Sequence, residues 1–359
     1  MKRLPFALAC LGLATCFLPA EERVDLDREL GRAHANGVEV RVEDGLASVR
    51  SFDGERLTLW AQAPTLRIHI DAPLGQARPL RIDLLNCMMT ATLSLNGGPS
   101  VAPEPVAEHA AACRFDQTLT ESSVIDIFPS AEEDQPFVFA VLSDVQGGIG
   151  EVQDIFERMN ADPELAFVVS TGDLTDEGTR PQLERFQRAL ATLEIPLFST
   201  VGNHEMGAPP RHWHELFGPF NIHFRYRGVA FSLVDSGNGT IDPQVYERLD
   251  GWLEQARSAP HVVLTHVPPL DPSGLRGGGF RSRKEAAKFL TKIGKGKVDA
   301  LFLGHIHSYY AFSSAGVPSY ISGGGGAIEE KLDGIARHYL RVRVDPKTGI
   351  QDVAVVRVY

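Results

Sequence analysis

The chain has 359 residues, more than one hydrophobic core usually organises, so two domains are expected. Its formal net charge is −11. Proteins that follow a nucleic-acid backbone usually present a basic face, so this acidic balance argues against nucleic acid as the main partner.

The first twenty residues, MKRLPFALACLGLATCFLPA, join two positive charges to an apolar run that ends in small residues. This pattern predicts a signal peptide over residues 1–20, because the apolar run is too short to span a bilayer comfortably. An amphipathic first helix is the alternative, but the run lacks a polar face. The stretch ending at Cys16 also resembles a bacterial lipoprotein leader, although Thr15 departs from the usual Gly, Ala or Ser. Cleavage near Ala20 and lipidation of Cys16, which would attach the chain to a membrane, both stay open, and a secreted or periplasmic location is expected.

Residues 21–133 are predicted to form a small N-terminal domain of the β-sandwich type. Short alternating apolar runs are separated by Gly, Pro, Asn and Asp, a pattern that favours antiparallel strands. The predicted strands are Val38–Val42, Leu57–Ala61, Leu66–Ile70, Leu80–Leu85 and Ala91–Leu95. The histidines of this region (His34, His69 and His109) lie far apart in sequence, so we interpret them as surface or packing residues.

Cys87 and Cys113 are the two cysteines beyond the leader, and export would place them where disulfides persist. A bridge between them is the prediction, and two buried thiols are the alternative.

Residues 134–359 change to an alternation of strands and helices, which predicts a layered α/β domain. The predicted elements are the strands Phe137–Ser143, Ala166–Ser170 and Pro196–Val201 and the helices Glu151–Asn160 and Gln182–Leu193.

Five apolar runs of this second domain each end in side chains that can bind metal. The donors that follow the five runs are Asp144, Asp173, Asn203, His266, and the pair His305 and His307. Each donor alone could be a helix cap or a turn residue. Ligands in open α/β sheets bind outside the carboxyl ends of the strands, so together the five runs predict a shared cation site at one edge.

The segments LSDVQ, STGDLTDEG, TVGNHE, LTHVPP and LGHIHSYY, in this order, resemble the five sequence blocks of calcineurin-like metallophosphoesterases. The resemblance covers about residues 137–326, and the spacer segments resemble secreted members similar to purple acid phosphatases. It implies a four-layer α-β-β-α sandwich, here preceded by the small all-β domain.

The resemblance also implies two divalent metal ions, with Mn, Fe and Zn as the candidates. Their ligands would be Asp144, Gln146, Asp173 and His307 for the first metal, and Asp173, Asn203, His266 and His305 for the second. Asp173 would bridge the two, and a metal-bridging hydroxide would attack phosphorus. His204 would act as the general acid, with Glu205 or Asp173 orienting its ring.

Two positions need separate comment. Gln146 stands where most members of the family have histidine, so its amide oxygen would be the donor and the first site would favour harder metals. Arg281 is the preferred candidate for holding substrate phosphate, with a solvated helix start as the alternative.

The leading functional hypothesis is therefore hydrolysis of a small or exposed phosphate ester, either a monoester or a diester, outside the cytoplasm. A catalytically degenerate metal-binding module for signalling or adhesion is the first alternative. A nuclease is the second, disfavoured by the acidic charge.

Overall fold

The structure is a computed structural model that describes residues 20–359 except positions 74, 76, 108, 131–133, 208, 210, 275–276 and 331–333. Residues 1–19 of the predicted signal peptide, Cys16 among them, therefore lie outside the described residues. Among the described residues, no helix has the length and apolarity that crossing a bilayer requires.

Two five-stranded sheets form the N-terminal half of the described chain. Their strands are β1 (Arg32–Ala35), β2 (Val38–Val42), β3 (Ala47–Phe52), β4 (Arg56–Ala61), β5 (Leu66–Asp71), β6 (Arg78–Leu85), β7 (Ala91–Leu95), β8 (Glu104–Pro105), β9 (Ala112–Leu119) and β10 (Ser123–Pro129). One sheet has the order β1-β2-β5-β10-β7 and the other β3-β4-β6-β9-β8. Alternating residues such as Val40, Ile68 and Ile82 point into one shared apolar core.

This sandwich differs from the expected purely antiparallel arrangement at one place, because β4 and β6 run parallel, with Arg56 opposite Arg81. Between these strands the chain crosses to β5 in the other sheet, which allows β6 to return in the same direction as β4.

Cys87 and Cys113 form a disulfide, which confirms the predicted bridge.

Two further sheets face each other in the C-terminal half. Their strands are β11 (Phe137–Leu142), β12 (Leu165–Ser170), β13 (Leu197–Ser199), β14 (Ile222–Tyr226), β15 (Val229–Val234), β16 (His261–Thr265), β17 (Ala300–Leu303), β18 (Tyr309–Ser314), β19 (Val317–Ser322), β20 (His338–Asp345) and β21 (Gly349–Arg357). The orders are β13-β12-β11-β20-β21 and β14-β15-β16-β17-β19-β18. Strands β11–β13 are parallel, as are β15, β16, β17 and β19. Phe139 of one sheet meets Phe231 of the other edge to face, with ring centroids 5.1 Å apart.

Helices cover the outer faces of these two sheets. The helices of the described chain are α1 (Ala20–Glu29), α2 (Gln153–Asn160), α3 (Arg180–Leu190), α4 (Arg211–Leu216), α5 (Pro243–Gln255) and α6 (Arg283–Lys295). Ile155 of α2 and Phe186 of α3 pack with Val138 under the first sheet, whereas Leu249 of α5 and Phe289 of α6 pack under the second. Asp242 and Ser282 are the N-caps of α5 and α6, as their positions before the apolar stripes favour. The four-layer α-β-β-α arrangement confirms the expected fold class.

Strand β13 lies at the edge of its sheet, and the N-terminal sheets cover this edge. The amide of Asn86 bonds to both the N–H and the carbonyl of Leu197, and Gln62 Oε1 accepts from the N–H of Ser199. Side chains of one half thus satisfy backbone groups that an edge strand would otherwise present to solvent.

Helix α1 precedes the sandwich in sequence, but its buried charges bond to the C-terminal half. Arg23 donates from Nε to Asp235 over 2.7 Å, with both side chains buried. Asp27 lies 2.9 Å from His214 Nε2 and accepts from the side-chain amide of Asn221. Since removing one partner of a buried charge pair is costly, these contacts hold α1 in place.

Candidate metal centre

The predicted metal ligands meet at one edge of the two facing sheets. Asp144 follows β11, Asp173 follows β12, His266 follows β16, and His305 follows β17. Asn203 lies beyond β13, and the carboxyl ends of these parallel strands place all five donors together.

Glycines allow the turns that carry these donors to approach one another closely. A Cβ on Gly172, whose φ is +106°, would lie 2.1 Å from the backbone nitrogen of Gly202. A Cβ on Gly304 would lie 2.7 Å from Asp144 Oδ2. The glycines that precede Asp173 and His305 are therefore required by contact between loops.

Four of the predicted ligands adopt positive φ, which is uncommon for residues other than glycine. The angles are 59° for Asp144, 44° for Gln146, 54° for Asp173 and 71° for His305. Backbone conformations of this kind are costly and are concentrated at functional sites.

The donors predicted for the second metal face a common point. The ligand atoms of Asp173, His266 and His305 all lie within 4.8 Å of one another. Asn203 Oδ1 lies 3.1 Å from His266 Nε2 and 2.6 Å from His305 Nδ1. One carboxylate, one amide oxygen and two imidazoles form a donor set that suits a divalent transition metal.

The donors predicted for the first metal lie on the other side of Asp173. His307 Nε2 is 3.5 Å from Asp144 Oδ1, and Gln146 Nε2 is 3.3 Å from His307 Nε2 and 3.0 Å from Asp173 Oδ2. The amide of Gln146 thus presents its nitrogen to the site, whereas the sequence predicted its oxygen. A carboxylate accepts hydrogen bonds, which explains this orientation, and a half-turn of the amide would present Oε1 instead.

Asp173 Oδ2 lies close to residues of both predicted ligand sets. This oxygen lies 3.1 Å from His266 Nε2 on one side and 3.0 Å from the Gln146 amide on the other. Burial would raise the pKa of this carboxyl, but the charge and hydrogen bond of His266 outweigh it and lower the pKa to about 2. Burial would likewise lower the pKa of His266, but Asp173 raises it to about 9. Binding of a cation at His266 Nε2 would therefore release a proton.

Backbone carbonyls set the orientation of two of the imidazoles. Thr171 O lies 3.1 Å from His266 Nδ1, and Ile328 O lies 2.8 Å from His307 Nδ1. A carbonyl oxygen only accepts, so Nδ1 carries the proton in both rings and Nε2 is left to bind metal. These carbonyls were not identifiable from sequence, because every residue has one.

His204 lies beside the cluster. Its Nε2 is 4.0 Å from Asp173 Oδ2, and its Nδ1 is 2.6 Å from the carbonyl oxygen of Asp176. The side chain is about one-third exposed. The ring is thus oriented by a backbone carbonyl, whereas the sequence predicted the carboxylate of Glu205 or Asp173 for this role.

Glu205 has a different function from the one predicted. Its buried carboxylate accepts from the backbone N–H groups of Asp173, Thr175 and Gly202 at 2.9 to 3.0 Å. Burial and the charge of Asp173 raise its pKa to about 7 despite these bonds. Glu205 therefore fastens the loop of Asp173 to the turn that carries Asn203.

Arg281 is not among the contacts of the cluster. Its backbone N–H donates to the carbonyl of Gly239 over 2.9 Å, and its side chain is exposed. The described contacts do not connect its guanidinium to any of the predicted metal ligands.

Residues 137–309 match the family model described as calcineurin-like phosphoesterase. A probable cyclic nucleotide phosphodiesterase of Rhodopseudomonas palustris is 27% identical over 46% of this chain and 66% of its own length. A 3′,5′-cyclic-nucleotide phosphodiesterase of Nostoc is 24% identical over 41% of this chain and 58% of its own length. The chain thus spans roughly three-fifths of the length of these relatives.

Among solved structures, the purple acid phosphatase PPD1 of yellow lupin (Lupinus luteus) seeds is similar in fold. Its TM-score is 0.56 at 12% identity, covering 83% of this chain and 72% of that one. Residues 137–309 thus match a calcineurin-like phosphoesterase domain, as the sequence blocks predicted, and the chain shares its fold with a purple acid phosphatase. This family implies divalent metal ions, and the donors described above fit them.

Proposed function

We propose that this chain hydrolyses phosphodiesters of small molecules with two divalent metal ions. The observation that carries the proposal is the position of Asp173, whose one carboxylate faces both Gln146 and His266. The relatives named above are phosphodiesterases, which favours a diester over a monoester.

Two bound cations would supply Lewis acidity to the phosphate and a water acidic enough to act as a nucleophile at neutral pH. The residues that would hold them are Asp144, Gln146, Asp173 and His307 on one side, and Asp173, Asn203, His266 and His305 on the other. Glu205 joins the loop of Asp173 to the turn of Asn203, which holds the Asp173 carboxylate in place relative to the second half of the centre.

His204 would deliver the proton to the leaving oxygen. Its Nδ1–H stays bonded to the Asp176 carbonyl, so a proton on Nε2 lies at the end of the ring that is 4.0 Å from Asp173 Oδ2. The partial exposure of this ring allows the proton to be replaced from solvent after each turnover.

The test is a comparison of aryl phosphates on the purified full chain. The protein is stripped with a chelator and reloaded with Mn, Fe or Zn, and bound metal is counted by elemental analysis. We expect two metals per chain and faster cleavage of bis-(4-nitrophenyl) phosphate than of 4-nitrophenyl phosphate. One metal per chain without turnover of either ester would instead support a binding or signalling module.

We also propose that the chain is exported. The leader sequence and the Cys87–Cys113 disulfide both support an oxidising compartment. Mass spectrometry of protein from membrane and soluble fractions is the measurement. A lipidated N-terminus at Cys16 would mean membrane attachment, cleavage near Ala20 would mean a free exported protein, and an unprocessed chain in the cytoplasm would contradict the proposal.

A further inference from the structure

A cleft lies between the N-terminal sheets and helix α5, lined by residues that the metal centre does not use. Its volume is about 450 Å³, within the usual range for small-molecule sites. Its walls include Arg28, Arg32, Arg41, Arg248, His223 and Trp252. We propose that this cleft is a second ligand site, which binds a small phosphorylated anion.

Two of these arginines lie opposite each other on neighbouring strands. Arg32 of β1 and Arg41 of β2 are direct cross-strand partners in an antiparallel ladder. Like charges in this position repel each other, and neither side chain has a carboxylate partner among the described ion pairs. An anion between the two guanidinium groups would relieve the repulsion.

The cleft as a whole carries more positive than negative side chains. Its lining residues include four arginines but only two carboxylates, Asp27 and Asp44, although the chain as a whole carries a net charge of −11. Asp27 already accepts from Phe220 and Asn221 and contacts His214, and Arg248 lies 4.0 Å from it. Arg28 is paired with Asp25 and Arg248 lies near Asp27, so the positive charge left without a described ion pair is that of Arg32 and Arg41.

The walls of the cleft combine guanidinium groups with an aromatic surface. A guanidinium group binds phosphate or carboxylate oxygens through two parallel hydrogen bonds. Two adjacent arginines favour a phosphoryl group, which carries close to two negative charges at neutral pH, over a singly charged carboxylate. Trp252 stacks on His223 with ring centroids 5.2 Å apart and planes within 8°. Burial lowers the pKa of His223 to about 4, so this aromatic wall is uncharged at neutral pH. It offers a surface for the organic part of a phosphate ester.

The test uses inorganic phosphate and two phosphonates as ligands, because a phosphate-ester hydrolase does not cleave the carbon–phosphorus bond of a phosphonate. Isothermal titration of the metal-loaded full chain is done with inorganic phosphate, methylphosphonate and phenylphosphonate. We expect two binding events in the wild type, one at the metal centre and one in the cleft. Asp173→Ala should keep the cleft event alone, and Arg41→Glu should keep the metal-centre event alone.

Arg41→Glu replaces the repulsive pair with an attractive one, so we expect an unchanged or higher melting temperature together with at least tenfold weaker binding in the cleft. Arg248→Gln, on a different element, is the second variant, and Arg56→Gln on the exposed face of β4 is the control.

Tighter binding of phenylphosphonate than of methylphosphonate would assign the cleft to an organic phosphate, and equal affinity would assign it to free phosphate. If Arg41→Glu and Arg248→Gln both bind every probe as the wild type and the control do, the cleft is not an anion site.

Discussion

The two halves of the metal centre share Asp173 but differ in their other donors. The second half adds one amide oxygen and two imidazoles whose ligand atoms already converge. The first half adds Asp144, His307 and the amide of Gln146, which has its nitrogen turned toward Asp173. An imidazole-rich site binds Zn and Fe well, whereas neutral and anionic oxygen donors suit Mn and Mg. We therefore expect the first metal to be the more easily lost and the more tolerant of Mn.

The largest effect is expected where the two halves meet. Asp173→Ala removes a donor from both, so turnover should be abolished and metal content should fall well below that of the wild type. Rates and bound metal are measured beside Asp352→Ala, an exposed carboxylate on β21. Activity above roughly a tenth of wild type would exclude Asp173 as the bridge.

A change outside both halves should alter the rate alone. His204→Ala should keep its metal and lose roughly 10² to 10⁴ in kcat, the usual contribution of a general acid. The loss should be smaller for substrates with a better leaving group, because these need less protonation. His34→Ala, an exposed histidine of β1, is the control. Loss of metal from His204→Ala would make this residue a ligand instead.

Glu205→Gln should weaken both halves together through the loops that it joins. One carboxylate oxygen becomes an NH₂ group. At the Oε2 position it would face the N–H groups of both Asp173 and Gly202, and at the Oε1 position that of Thr175, so at least one of these bonds is lost. We expect a 10- to 100-fold loss of metal affinity, as is common for residues that support ligands. Glu215→Gln, which removes an exposed charge paired with Arg180, is the control. Unchanged metal affinity beside an unchanged rate would leave Glu205 with no part in positioning the centre.

The smallest effect is expected from Gln146→His, which acts on the first half alone. The substituted ring should tighten the first metal by about tenfold and shift its preference from Mn toward Zn or Fe, without abolishing turnover. Metal content after dialysis and rate against added metal are compared with wild type and with Gln351→His, a residue of β21. Equal retention and equal preference in all three proteins would show that Gln146 does not bind metal.

The sequence determined much of the fold and the composition of the site. Alternating apolar runs predicted strands such as Val38–Val42 and Ala91–Leu95 with the bounds that the structure has, because the two-residue period is a local property. The grouping of the donors at the strand ends could be predicted for a related reason. Parallel strands end at the same edge of a sheet, whatever the details of packing. The disulfide was predicted because only two cysteines follow the leader and because export would place both in a compartment where disulfides persist.

Only the tertiary structure decided which groups support those donors. Contacts between segments distant in sequence produce the parallel pairing of β4 with β6 and place the carbonyl of Asp176 beside His204. Such contacts also allow Glu205 to join the loop of Asp173 to that of Asn203. For the same reason, the sequence did not predict that Arg23 holds α1 against the C-terminal half or that Arg32 pairs with Arg41 across two strands. A periodic pattern shows which face of an element is buried, but it carries no information about which distant backbone group or charge will lie opposite.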